Sequence, residues 1–315
     1  MGMVTKIGII GMGHVGAHVA NAILYQGLAS EIYCVDSIES KVACEVNDLQ
    51  DAMPFYPRQA RVYNCHENYD ELLACDIVVN AAGHVAQSAG NRDGELFCTA
   101  EETKKWAPHF QGYEGVVVTV SNPCDVIATM IWKLAGLDPR RVIGSGTALD
   151  SARLRHALWA ETGCNPNSIT SWMMGEHGAS QFAAWSHVSF GATPLAELEK
   201  SDPERFSLDK DAVEEAARRG GYVTYAGKGC TEYSIANAAT ELVKAVVQDS
   251  KLITPCGTLL EDVYGESGHF TSIPCVVGKD GVERTFPLAL SEVEQASFHA
   301  SCAHIQENVE KICCW

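Results

Sequence analysis

Short unbroken apolar runs alternate with segments whose apolar residues step by three and four. Lys6 to Ile10 (KIGII) is the first run. It ends at Gly11-Met12-Gly13-His14-Val15-Gly16, after which Val15, Val19, Ala22 and Gln26 keep helical spacing; this is the pattern of strand, glycine turn and helix. Glu31 to Val35 predicts a second strand closed by Asp36, and Val42, Val46, Leu49 and Met53 fall on one face of a second helix. A β-α-β unit is then complete. Asp76 to Ala82 (DIVVNAA) and Gly115 to Ser121 (GVVVTVS) are β-branched runs without polar alternation, as expected of strands buried on both faces of a parallel sheet. A helix from about Val126 stops at Gly136, and Val142 to Gly144 predicts another strand. Six strands by residue 144 would fill a doubly wound domain over residues 1–146.

From Leu149 the texture changes. Short strands near Ile169 to Met174 and Ser186 to Phe190 mix with long helices, and Asp280-Gly281 predicts a hairpin turn. A separate α+β domain over residues 147–315 is expected. Its last helix is announced by Ser291-Glu292-Val293-Glu294, a capping-box pattern, with Phe298, Cys302, Ile305, Val309 and Ile312 on one face.

Composition narrows the function classes. The 315 residues suffice for a core without staples, and the net charge of −17 argues against nucleic-acid or anionic-membrane partners. An anionic ligand would have to be held by clustered arginines against that field. Thirteen cysteines are spread along the chain with no C-x-x-C pair, and no leader or membrane span is read. A reduced, cytoplasmic protein without a metal site is therefore expected. Cys313-Cys314-Trp315 is not a prenylation box and reads as a frayed helix end.

Gly11, Gly13 and Gly16 form G-x-G-x-x-G between strand and helix. The first allows a tight turn, the second lets backbone approach a pyrophosphate, and the third lets the helix pack on the strand. Glycine turns are common, so the fingerprint alone is weak evidence. Asp36 strengthens it: twenty residues past Gly16, at the end of the second strand, its carboxylate can bind both ribose hydroxyls. Ser37 and Ile38 follow, so no adjacent arginine is available for a 2′-phosphate. Such a phosphate would meet like charge, at about 4 kcal/mol for roughly 4 Å separation near a surface. NAD is favoured over NADP, and the expected fold is α/β, a doubly wound parallel sheet of the Rossmann type. Met12, His14 and Val15 complete the cofactor loop.

Three further segments carry polar groups that a core does not need: Gly90-Asn91-Arg92, Leu149-Asp150-Ser151-Ala152-Arg153 and Gly175-Glu176-His177-Gly178. Singly, Arg92 reads as a loop cation, Asp150 as a helix cap, Arg153 as its ion-pair partner and His177 as a core histidine. Together with Ser121-Asn122-Pro123, Val142 to Thr147 and Gly227-Lys228-Gly229-Cys230-Thr231, they stand in the order and spacing of one family. The chain resembles the L-lactate and malate dehydrogenases over nearly its whole length. Ser180-Gln181-Phe182, Ala184-Trp185-Ser186 and Glu215 to Gly221 make it similar to the L-2-hydroxyisocaproate branch in particular.

The resemblance implies a small 2-keto or 2-hydroxy acid substrate, a second, catalytic domain, and a homo-oligomer of two or four subunits. It implies His177 as the proton donor, Asp150 fixing its ring, Arg153 gripping the substrate carboxylate, and Arg92 arriving on a mobile loop to polarise the carbonyl. Asn122 would orient substrate and nicotinamide, and Thr231 and Ile235 would line their pocket. The spacing from Gly83 to Arg92 is that of the shorter-looped lactate and malate enzymes. Ala86 stands where malate enzymes carry arginine and lactate enzymes glutamine, Ala179 replaces a polar residue and Cys230 an aromatic. A dicarboxylate would leave its second charge unpaired. Bulky 2-keto acids such as 2-ketoisocaproate or phenylpyruvate are expected, with pyruvate as the alternative if Gln87 takes the place of Ala86. Arg155 is present, but Thr170 stands where the histidine of a sugar-bisphosphate activation site would be. An NAD-dependent glycosidase would need a metal-binding Cys/His pair, and Cys124 has no evident partner. A non-catalytic relative would be expected to lose one of Arg92, Asp150, Arg153 and His177, and all four are present.

Overall fold

The computed structural model describes residues 5–83 and 92–312, with the side chains of residues 92–94 outside that set. The first half forms β1 (Lys6–Ile10), α1 (His14–Tyr25), β2 (Glu31–Val35), α2 (Glu39–Ala52), β3 (Arg61–Asn64), β4 (Ile77–Asn80), α3 (Arg92–Trp106), β5 (Val116–Thr119), α4 (Cys124–Ala135) and β6 (Val142–Gly144). The six strands are parallel, in the order β3-β2-β1-β4-β5-β6. Their lack of polar alternation has a direct cause. Ile7, Ile9, Ile77, Val79, Val116 and Val118 enter a core on one face, while Ile10, Val78 and Val117 enter a second core on the other. Each such side chain taken from water contributes about 1.5–3 kcal/mol. β3 (RVYN), at the edge of the sheet, buries only Val62.

The second half comprises α5 (Ala148–Thr162), β7 (Ile169–Thr170), β8 (Met173–Met174), β9 (Phe182–Ala183), β10 (Ser189–Phe190), β11 (Thr193–Pro194), α6 (Leu195–Ser201), α7 (Pro203–Phe206), α8 (Lys210–Lys228), α9 (Tyr233–Val247), β12 (Leu252–Leu259), β13 (Phe270–Gly278), β14 (Gly281–Thr285) and α10 (Glu292–Ile312). The apolar run at Ile169 to Met174 is divided: β7 joins β10 and β11, whereas β8 pairs with β9. Ser186 lies in a helical turn, and the strand begins at Ser189. The large sheet continues past residue 146. β12 pairs antiparallel with β6 through Gly257 and Gly144, and β13 and β14 extend it to nine strands.

The capping box at α10 forms as its spacing predicts. Glu294 Oε2 accepts from the Ser291 N–H at 2.8 Å, and Ser291 Oγ accepts from the Glu294 N–H at 3.4 Å. Phe298 and Cys302 then enter the first core, and Ile305, Val309 and Ile312 the second. Among the described residues, no helix is long and apolar enough to cross a membrane.

Candidate active site

β1 is central, and its neighbours β2 and β4 leave it on opposite sides, so the turn that follows β1 opens at the point where strand order reverses. Gly11 holds φ +87°, and a Cβ there would stand 2.7 Å from the Ala82 nitrogen. A Cβ at Gly16 would stand 1.9 Å from the Gly11 carbonyl oxygen. The protein's own backbone therefore requires both glycines. Gly13 differs: its Cβ would meet only Lys41 Nζ, at 3.6 Å. Among the described residues α1 has neither a side-chain cap nor an acidic first turn, so its positive end faces that open space. The arrangement fits a pyrophosphate.

Asp36 stands at the same opening. Its Oδ2 accepts from the Met12 N–H at 2.7 Å and its Oδ1 from the Ile38 N–H at 2.9 Å. Met12 is fully buried, Val15 packs partly buried against the same core, and His14 is exposed and paired with Glu232 at 3.0 Å. That pair brings the turn between α8 and α9, with half-buried Thr231, to the glycine turn. Ile235, in the first turn of α9, is buried in the core that contains Met12.

His177, Asp150 and Arg153 are brought together. Asp150 and Arg153 lie one turn apart on α5, hence on one face, and His177 lies in the loop between β8 and β9. The His177 Nδ1–H donates to Asp150 Oδ2 at 2.5 Å, and Arg153 Nη1 donates to Asp150 Oδ1 at 2.8 Å. Asp150 is 0% exposed, while His177 and Arg153 retain 19% and 17%. Nδ1 is committed to Asp150, so Nε2 is the ring nitrogen available to a substrate. The Arg153 guanidinium lies along α8, where a Cβ on Gly221 would stand 3.2 Å from Nη2. That close approach is what the Gly220-Gly221 pair permits.

Burial disfavours the His177 imidazolium, but the Asp150 charge and hydrogen bond, with Asp125 behind them, outweigh it and raise the pKa above the usual histidine value. Burial also works against the Asp150 carboxylate, yet His177 and Arg153 hold its pKa below the ordinary value. With His177 protonated, the three side chains carry one net positive charge, suited to a carboxylate that the chain's overall charge would repel.

Asp125 is absent from the sequence-derived set. Its Oδ2 accepts from the His177 backbone N–H at 2.8 Å and its Oδ1 from Ser272 Oγ at 3.4 Å. Burial pushes its pKa up to about 7. Its only sequence signal is a position just after Asn122-Pro123-Cys124, indistinguishable there from an acidic first-turn residue of α4. Ser301 of α10 is a second unforeseen support, accepting from the Glu176 N–H at 2.6 Å.

Asn122 is exposed between β5 and α4, joined to Pro123 by a cis peptide bond. Arg92 is the first residue of α3 rather than part of a loop, and its side chain lies outside the described set. Ala86 and Gln87 lie outside the described residues altogether.

This combination of a dinucleotide turn and a charged His-Asp-Arg group agrees with the whole-chain comparison. The chain belongs to the lactate/malate dehydrogenase family, matching its NAD binding domain over residues 5–144 and its alpha/beta C-terminal domain over residues 147–314. It is an NAD-dependent oxidoreductase of the 2-hydroxyacid type. Among its relatives, L-lactate dehydrogenase 1 of Bifidobacterium longum is 36% identical over 308 residues, 97% of each chain. L-lactate dehydrogenase of Fusobacterium nucleatum is 33% identical, over 97% of this chain and 96% of its own. The crystal structure of a minor L-lactate dehydrogenase from Enterococcus mundtii superposes with a TM-score of 0.94 at 29% identity, covering 99% of both chains. A malate dehydrogenase from Cryptosporidium parvum superposes at 0.91 with 27% identity, over 98% of this chain and 99% of its own.

Proposed function

We propose that the protein is an L-lactate dehydrogenase that reversibly reduces pyruvate. The observation that carries the reading is the buried Asp150 carboxylate shared between His177 and Arg153, in a chain whose similar relatives are named L-lactate dehydrogenases. The bulky-substrate expectation rests on Ala86, and the kinship to the hydroxyisocaproate branch finds no support in these relatives. Pyruvate is therefore the preferred substrate.

In this reading Arg153 holds the substrate carboxylate through planar paired donors. His177 Nε2 gives a proton to the carbonyl oxygen, and Asp150 keeps the ring oriented and charged. Arg92 polarises the carbonyl, and Asn122, Thr231 and Ala86 border the substrate. Gly11 to Gly16 cradle the pyrophosphate, Asp36 takes the ribose hydroxyls, and Asn122 and Ile235 adjoin the nicotinamide. NADH, when bound, supplies the hydride. The free thiols at all described cysteines support a reducing, cytoplasmic setting.

The test is catalytic efficiency on pyruvate, 2-ketoisocaproate and oxaloacetate under one set of conditions. Pyruvate is expected to lead by about tenfold or more, the scale on which a pocket discriminates side-chain size. Parity with 2-ketoisocaproate would return the protein to the bulky-substrate group. For the cofactor, Asp36→Ser is expected to narrow the preference for NADH over NADPH by about tenfold or more, because the variant removes the carboxylate that repels a 2′-phosphate. A wild-type enzyme that already uses both cofactors equally would refute the role given to Asp36.

A further inference from the structure

Outside the His177 group, two sets of metal-ligating side chains converge among the described residues: His14, Cys230 and Glu232 beside the glycine turn, and Glu266, His269 and Cys302 between the approach to β13 and α10. The first is a surface arrangement. His14 is 73% exposed, and Lys228 neutralises Glu232 at 2.5 Å. The second is built into the fold, with His269 3% and Cys302 0% exposed. Glu266, 20% exposed, leads from them to the surface.

In this second set a ring nitrogen, a thiol sulfur and a carboxylate oxygen lie within 4.8 Å of one another. His269 Nδ1 lies 3.2 Å from the Ser267 carbonyl oxygen, to which its N–H form donates, and 3.1 Å from Gln306 Nε2, from which its unprotonated form accepts. Its Nε2 is buried without a hydrogen-bond partner among the described residues, a state that native interiors rarely leave unexplained. We propose that Glu266, His269 and Cys302 form a binding site for a zinc-like divalent ion, with His269 Nε2, Cys302 Sγ and a Glu266 oxygen as ligands and water as the fourth.

The donor set is the mixture of imidazole, thiolate and carboxylate that zinc takes. Metal–ligand bonds of about 2.0–2.3 Å place tetrahedral donors roughly 3.5 Å apart, so the cluster closes by small side-chain rotations. Thiolate and carboxylate together neutralise the dication. The outer hydrogen bonds also suit a metal: Nδ1–H of a ligating His269 would donate to Ser267, and the Glu266 carboxylate already accepts from His299 Nδ1 at 2.6 Å. Cys302 adjoins Ser301, whose Oγ holds the Glu176 N–H. An ion here would pin α10 where it supports the segment carrying His177.

Cobalt(II) chloride added to the purified full-length chain tests this, because a thiolate ligand produces a sulfur-to-cobalt charge-transfer band in the near ultraviolet. The expected result is a band that saturates at one cobalt per chain, is lost in both Cys302→Ser and His269→Gln, is bleached by zinc, and survives in Cys230→Ser. NADH binding by each of the first two variants verifies that it is folded, and His269→Gln decides the matter if Cys302→Ser does not fold. No band in the wild type, or a band kept in either folded variant or lost in Cys230→Ser, overturns the proposal.

Discussion

His177→Asn is expected to lower turnover in pyruvate reduction by about two to four powers of ten, the usual worth of a positioned acid, while NADH binding is unchanged. Among the described residues the hydrogen-bond partners of His177 are Asp150 through the ring and Asp125 through the backbone, neither of them part of the glycine turn. Asparagine keeps the backbone N–H for Asp125 and can still donate to Asp150, but it holds no transferable proton. The pH profile gives a second readout. Reduction needs the imidazolium, so the wild-type rate falls as pH rises through the raised His177 pKa. Oxidation of the hydroxy acid needs the neutral ring and gains over the same interval. Both limbs should vanish in the variant. Stopped-flow turnover with fluorescence titration of NADH separates the two effects, and near-normal turnover would remove His177 from the chemistry.

What was legible in the chain depended on whether the deciding contact was local. β1, β2 and β6 coincide with their predicted spans because two-sided burial leaves an uninterrupted apolar run. The capping box announces α10 because its partners are three residues apart. β3 escaped residue-level placement because Arg61 and Asn64 flank a strand with one buried residue. The extension of the sheet by β12 to β14 depends on an antiparallel pairing between Gly257 and Gly144, which no periodicity encodes.

At the site, Asp150 and Arg153 were readable as one helical turn, and His177 from its glycine-flanked motif. Asp125 was not, because its distinction from a surface carboxylate is complete burial against a backbone N–H 52 residues away. Cys302 similarly reads as an apolar step of α10, which it also is. Only the fold sets it beside His269 and Glu266.

Asp150→Asn preserves shape and removes charge, so it isolates what the carboxylate does. In the wild type one buried carboxylate lies between two cationic groups, at 2.5 Å from His177 and 2.8 Å from Arg153. Without it, burial and the Arg153 charge both disfavour the imidazolium, and only the weaker influence of Asp125 still favours it. The His177 pKa should then fall below its ordinary value, and reduction at neutral pH should slow by about a hundredfold or more. Breaking a buried ion pair from one side costs about 3–5 kcal/mol, so the melting temperature should drop as well. The informative feature is recovery on acidification. Lower pH restores the proton to His177 in Asp150→Asn and returns part of the lost rate, whereas His177→Asn stays flat across the same range. Arg153, released from Asp150, still carries the charge that meets the substrate carboxylate, so KM should change less than kcat. Rate profiles for both variants from pH 5 to 8, roughly the span in which histidine titrates, decide between them. An Asp150→Asn enzyme with wild-type kcat and an unshifted profile would show that the charge of Asp150 has no part in poising the proton.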